Sequence, residues 1–422
     1  MDGTGPTYIT LWQLFVLAVG VLMGTSTLLP AGVPAGRDAW LAVLVALSVG
    51  LVLTALWQRL IDGVAAANRR SPPGGQEQAE KRPPAGRVWI VAFGPVVGRI
   101  VAALYFVHFV HWSAAVLRNM TTLIGLEVLP RTPTPVILVP FVGLAVWSIS
   151  QGIEGTGRLA EVVIPIAFIA SGLILLLALL TPGLVDMGQL LPLFERGYRP
   201  FLHGVLLAVS FPFAELVAFI PIALSLRDPS RAATPMRWAM VVTGLLLAMQ
   251  EVRNIAVLGV HEAVRFLYPG LAVNELIELG RVVQRIEAIA IAVWINAGFI
   301  KLTVIMLAAT SCVQEILDLR ERRHLPPVIA AIGLVAGALA AGLYSTAGEL
   351  ALFAMDVWVV YAPLFQIAIP AIALVSLRMR QRQLQPDAGT IMAGTATPGR
   401  SGRRSGVSPG GRAGRPPYRT KR

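Results

Sequence analysis

Long uncharged segments recur along this chain of 422 residues, and they limit its possible folds more than any other feature. The first runs from Gly3 to Gly36 without a charged residue, and further apolar stretches of helical length follow it. A helix needs about 20 apolar residues to cross the hydrocarbon core of a bilayer. Composition agrees, because hydrophobic types make up 55% and charged types 14% of the chain, against about 45–50% and 25% in soluble domains. The sequence therefore predicts an all-α integral membrane protein.

Ten membrane-spanning helices are predicted from the apolar runs. They lie near residues 10–30, 38–60, 96–122, 135–150, 160–181, 203–225, 237–258, 287–312, 326–346 and 357–377. The fourth is the weakest, because about sixteen residues are short for a span.

Basic residues define the predicted orientation and the domain limits. The even-numbered loops are the richer in Lys and Arg, which predicts that they and both termini are cytoplasmic. The net charge is +12, and residues 378–422 carry 11 basic residues and one acid, or +10, which leaves +2 for the rest. We expect a membrane domain at 1–378 with a polar cytoplasmic loop at 68–86. Residues 379–422, rich in Gly, Pro, Ser and Arg, are expected to form a disordered basic tail.

Two predicted spans carry helix-breaking residues within their apolar stretch. Span one contains Gly24 followed by Thr25, Ser26 and Thr27, and span six contains Pro212. If ten helices form two sets of five, spans one and six correspond, and the odd number per set makes the repeat inverted. Paired broken helices in such a 5+5 arrangement mark a substrate site near the bilayer midplane.

Ionisable residues within spans are candidates for function because they are costly in a bilayer. Glu215 in span six could bind a ligand ammonium, exchange a proton or pair with Lys301. Lys301 in span eight could supply a fixed charge where other transporters hold sodium, or could only neutralise Glu215. In span three, Tyr105 and His108 belong to a polar stripe. Packing against other helices and contact with a ligand explain this stripe equally well.

Motifs of soluble enzymes are absent from the sequence, including GxxxxGK, HExxH, CxxC and GxSxG. Cys312 is the single cysteine, which excludes a disulfide framework and a cysteine-rich metal site. We therefore expect no enzyme activity, no cofactor, no metal and no nucleic-acid partner.

Several motifs resemble a known family. Gln13-Leu14-Phe15, Gly24-Thr25, Leu29-Pro30 and the run from Ala35 to Trp40 are similar to the opening of the endospore germination permeases, as are residues 211–219 and 285–304. These permeases are the B subunits of germinant receptors and belong to the amino acid, polyamine and organocation transporter superfamily. The resemblance implies a ten-helix fold of the leucine-transporter type. It also implies A and C partner subunits, the inner spore membrane as location, and a small nutrient, commonly an amino acid, as ligand.

Three functions remain open at this stage: a nutrient-sensing receptor subunit, an amino acid transporter coupled to protons through Glu215 or His108, and a scaffold with a vestigial cavity. The predicted ligand-binding residues are Gly24, Thr25, Ser26, Thr27, Tyr105, His108, Pro212, Phe213, Glu215, Asn296 and Lys301.

Overall fold

The structure is a computed structural model that describes residues 8–27, 29–70, 87–277, 286–319, 322–344 and 346–383. Regular structure in these residues is helical, apart from one isolated parallel bridge between Ile9 and Leu226. The first helices in the described chain are α1 (Leu11–Met23), α2 (Ala39–Arg70), α3 (Val88–Phe93), α4 (Pro95–Leu123), α5 (Thr134–Ser150), α6 (Ile153–Leu180), α7 (Tyr198–Ser210) and α8 (Phe219–Ala223). The later ones are α9 (Ala233–Ala263), α10 (Pro269–Glu275), α11 (Ile286–Leu317), α12 (Leu325–Gly342), α13 (Ala347–Leu352), α14 (Val359–Pro363) and α15 (Ile369–Gln383).

Each predicted span overlaps helical structure, but the helices differ in length. Eight helical stretches of the described residues are long and apolar enough to cross a membrane, and α1 and α5 are shorter apolar helices. With 13 and 17 residues, these two fall at or below the lower limit of about 17 for a span. The exact ten-span count and the inverted 5+5 repeat therefore remain predictions.

Helix α1 lies inside the bundle. It packs against α9, α6 and α11, and nearly all its residues from Gln13 onward are buried. A capping box fixes its start, since Thr10 Oγ1 accepts from Gln13 N and Gln13 Oε1 accepts from Thr10 N, both at 3.0 Å. The helix ends at Met23. Because this end lies inside the bundle, the non-helical backbone that follows is enclosed by protein, as a membrane interior requires.

Outer helices show the opposite pattern of exposure. On α6, the side chains of Val162, Ile166, Ile169 and Leu173 follow one another at helical spacing and are more than half exposed. A stripe of this kind buries nothing within the protein and suits contact with lipid tails.

The described residues up to Met379 belong to one compact unit. Most of the predicted polar loop, from residue 71 to 86, and the tail beyond Gln383 lie outside the described residues.

Candidate functional site

Gly24 begins the break after α1 and permits a close helix contact. A Cβ atom at this position would lie 2.7 Å from Cδ and 2.8 Å from Cβ of Lys301 on α11. Such distances are too short for a side chain, so only glycine lets the Lys301 stem cross the backbone here. Thr25 lies in the turn of residues 24–27 and therefore also comes close to Lys301.

The second break separates α7 from the 3-10 segment Phe213–Ala218. Helix α7 stops at Ser210, and Pro212 lacks the N–H that a continuing helix would need. The Ser210 carbonyl instead accepts from Trp358 Nε1 at 3.2 Å and from Gln366 Nε2 at 2.9 Å. Both donors lie in the helical stretch Gly348–Gln381, which thus provides partners for the broken backbone away from water. Both predicted breaks are present in the structure.

An ion pair joins the two breaks. Lys301 Nζ lies 2.7 Å from Glu215 Oε2 and donates to Thr25 Oγ1 at 2.8 Å. Glu215 belongs to the 3-10 segment after the second break, whereas Thr25 belongs to the first. The Lys301 and Glu215 side chains are 0% and 1% exposed, so the pair is removed from solvent.

Aromatic rings complete the surroundings of the ammonium. Lys301 Nζ lies 4.7 Å from the ring centroid of Phe211 and 5.7 Å from that of Trp112. Both distances fall within the about 6 Å range of cation–π attraction.

A cavity of about 380 Å³ opens above this pair. Thr25, Glu215, Trp112 and Phe211 form its inner end, and Arg265 belongs to a segment of exposed residues at the other end. Most of the remaining wall is apolar: Leu29, Pro30, Val33, Val116, Leu207, Val264, Phe266, Leu267, Leu350, Phe353 and Trp358. The volume falls within the about 300–1,000 Å³ of small-molecule sites. The arrangement suits a small ligand with a cationic group and an apolar body.

The predicted residues separate into two groups. Gly24, Thr25, Glu215 and Lys301 come together, although Gly24 and Lys301 lie behind the cavity wall rather than in it. Phe213 turns away, because it packs beside Gly50 on α2 and Gly244 on α9. Pro212, which precedes it, makes the break but does not line the cavity.

Tyr105 and His108 do not line the cavity. Tyr105 stacks on Trp89 with centroids 4.1 Å apart, and its hydroxyl donates to the Phe365 carbonyl at 2.5 Å. His108 lies against Phe365 and Trp358, with centroid distances of 4.3 Å and 5.5 Å. This part of the polar stripe packs one helix against another.

Three further predicted residues also lie away from the cavity. Asn296 is exposed on the outer face of α11, where its Nδ2 donates to the Ala292 carbonyl at 2.7 Å. Ser26 is buried, and Thr27 lines a second, smaller cavity. Sequence position within a break therefore did not determine which way each side chain faces.

Five aromatic residues of the cavity were missed: Trp112, Phe211, Phe266, Phe353 and Trp358. Trp112 follows His108 by four residues, so helical spacing could have placed it on the same stripe. Phe211 precedes the helix-breaking Pro212 directly. Trp358 had no such signal, since it reaches the cavity within the π-helical turn Phe353–Trp358.

Comparison with known families decides the affiliation. The family model described as "Spore germination protein" matches residues 88–341, which is more than half of the chain. The chain belongs to this spore germination protein family. Spore germination protein KB of Bacillus subtilis (strain 168) is 28% identical over 301 residues, covering 71% of this chain and 76% of that protein. Spore germination protein YndE of the same organism is 26% identical over 228 residues, or 53% of this chain and 61% of that relative.

A solved structure shows the same fold. Mhp1, a nucleobase-cation-symport-1 family transporter in a closed conformation with bromovinylhydantoin bound, superposes with a TM-score of 0.62. The match covers 91% of this chain and 82% of that one at 13% identity. The spore germination family member described here is thus an integral, multi-pass membrane protein of germinant-receptor or permease type with a transporter-like fold, and its family and structural neighbour are not enzymes.

Proposed function

We propose that this protein is the nutrient-sensing membrane subunit of a spore germinant receptor and binds a small amino acid in the 380 Å³ cavity. The observation that carries the proposal is the Glu215 carboxylate at the inner end of that cavity. Lys301 holds this carboxylate and also donates to Thr25, so that the contact spans both helix breaks.

The cavity supplies a recognition chemistry for an amino acid. An ionised carboxylate has about four acceptor sites, so Glu215 can accept from Lys301 and from a ligand ammonium together. The apolar walls suit an apolar side chain, and Arg265 near the outer end carries a charge suited to a carboxylate. Residues Gly24, Lys301 and Pro212 would act behind this surface by shaping the two breaks.

Binding at this position would act on both breaks at once. A ligand changes a conformational equilibrium only through different affinities for the two states. An ammonium beside Glu215 would alter the Lys301 contact that ties α1 to the segment after α7. The relative movement of these segments would then pass the signal to partner subunits.

Membership of the spore germination protein family supports a proposal for the wider assembly. We propose an A subunit and a C subunit as partners, the inner spore membrane as location, and cytoplasmic termini. The membrane domain would be residues 1–378, with the basic tail at 379–422 on the cytoplasmic side.

A proton-coupled amino acid transporter is the second candidate, and the fold shared with the transporter Mhp1 favours it. Uptake of a radiolabelled amino acid into proteoliposomes under a pH gradient separates the two. A transporter accumulates the label, whereas a sensor binds it without accumulation.

The decisive experiment replaces Glu215 by Gln, which keeps the shape but removes the charge. Loss of one charge-assisted contact should raise the ligand concentration for half-maximal germination about tenfold to a hundredfold. Glu315→Gln is the matched control. Glu315 is also buried, but it lies on α11 about 21 Å along the helix from Lys301. It accepts from Ile90 N at 2.5 Å. Glu215→Gln also leaves the buried Lys301 ammonium without its counter-charge, so ligand sensitivity is compared at equal amounts of each variant in the membrane. Wild-type ligand sensitivity of Glu215→Gln would refute the proposed site.

A further inference from the structure

A second polar cavity lies beside the first break and shares no lining residue with the ligand cavity. Its volume is about 20 Å³. Five polar residues from four segments meet there, together with Ile174, Ala290 and Val293: Thr27, Ser171 on α6, Gln250 and Arg253 on α9, and Asn274 on α10. Such convergence within a mostly apolar bundle calls for an occupant that satisfies these groups.

Arg253 is the charged member of this set and is buried. Its guanidinium donates to Asn254 Oδ1 at 2.8 Å, to Asn274 Oδ1 at 3.1 Å and to the Gly270 carbonyl at 3.4 Å. These acceptors are all neutral. Among the described residues, the ion pairs within 4.0 Å do not include Arg253.

Glu251 lies two positions before Arg253 on α9, and side chains two positions apart on a helix do not face each other. Its Oε1 accepts instead from Ala31 N at 2.8 Å. A buried charge without a close counter-charge is costly in a low-dielectric interior. The positive charge beside the small cavity therefore favours an anion and disfavours a cation.

Two buried polar atoms at the cavity also lack partners. Thr27 and Gln250 are 7% and 6% exposed, and Thr27 Oγ1 and Gln250 Oε1 make no hydrogen bond within the part of the chain that the structure describes. The Thr27 hydroxyl can donate, and rotation of the Gln250 amide exchanges its oxygen for an N–H donor. Asn274 uses its oxygen for Arg253, which leaves its amide N–H groups as donors.

We propose that this cavity binds a monoatomic anion, chloride, held by Arg253 and by the Thr27 hydroxyl. A volume of 20 Å³ exceeds the about 10–15 Å³ that one water-sized occupant needs, but leaves no room for several heavy atoms. Sulfate, phosphate and amino acids are therefore excluded by size. The anion would fix the far end of the turn whose near end, Thr25, contacts Lys301.

The test uses the purified full-length chain, exchanged into gluconate and titrated with chloride. The thermal unfolding midpoint, followed by tryptophan fluorescence, should rise with chloride and saturate, whereas sulfate, which stabilises folded proteins by exclusion from their surface, should give no saturating rise. Thr27→Val removes one donor without disturbing the contacts of Arg253, and should raise the half-saturating chloride concentration about fivefold. Ser171→Ala is a second variant expected to act in the same direction.

Thr243→Val is the matched control, because Thr243 is a buried threonine on α9 that does not line this cavity. It should titrate like the wild type. A midpoint that does not depend on chloride would show that the cavity holds water or nothing, and would overturn the proposal. Equal half-saturation in Thr27→Val and Thr243→Val would overturn it as well.

Discussion

Replacing Lys301 by Met should destabilise the protein strongly. Methionine keeps the length and the apolar stem of lysine but removes the ammonium. The Glu215 carboxylate, 1% exposed, would lose the Lys301 partner at 2.7 Å, and Thr25 would lose a donor at 2.8 Å. Removing one partner of a buried ion pair typically costs about 3–5 kcal/mol, because the other charge remains desolvated.

A second substitution tests whether this cost arises from the abandoned charge. Adding Glu215→Gln to Lys301→Met removes the carboxylate charge and leaves two neutral side chains. Replacement of both charges is often close to neutral, so the double variant should regain most of the lost stability. If the cost of Lys301→Met came only from altered packing around position 301, the second substitution would not restore the stability.

The measurement is the thermal unfolding midpoint of the purified proteins, with Arg158→Met as a surface control. Arg158 pairs with Glu154 at 2.6 Å on an exposed helix face, and such pairs contribute about 0–1 kcal/mol. We expect the highest unfolding midpoints for the wild type and Arg158→Met. The midpoint of the double variant should be slightly lower, and that of Lys301→Met much lower. A double variant no more stable than Lys301→Met would refute the reasoning about the buried charge.

Three other predictions concern the ligand response. Gly24→Leu should abolish the response while the protein still reaches the membrane, because the new side chain displaces Lys301; Gly143→Leu, with open space around its Cβ, is the control, and a normal Gly24→Leu dose–response curve would contradict this. Asn296→Ala should leave the half-maximal ligand concentration unchanged, since Asn296 lies outside the cavity; a large shift would place a ligand elsewhere on α11. Truncation after Arg380 should preserve ligand specificity in a germination assay with several amino acids, and an altered preference would implicate the basic tail.

The membrane bundle was largely determined by local sequence. Apolar runs must be helical in lipid because each backbone group needs an internal partner, so the positions of the helices could be predicted from hydropathy. The breaks were also local, since Gly24 and Pro212 disrupt helices through their own backbone chemistry. Glu215 could be singled out because a carboxylate within an apolar span is rare and costly.

Side-chain direction and partnership required the tertiary structure. Lys301 meets residues 86 and 276 positions away in the chain, and helical periodicity gives the phase of a residue on its own helix but not the neighbour opposite it. Tyr105 and His108 illustrate the limit, because their spacing indicated a polar face while packing turned that face toward Trp89, Phe365 and Trp358. The cavity wall depends most on tertiary structure, since it is assembled from segments far apart in sequence whose separation only helix packing sets.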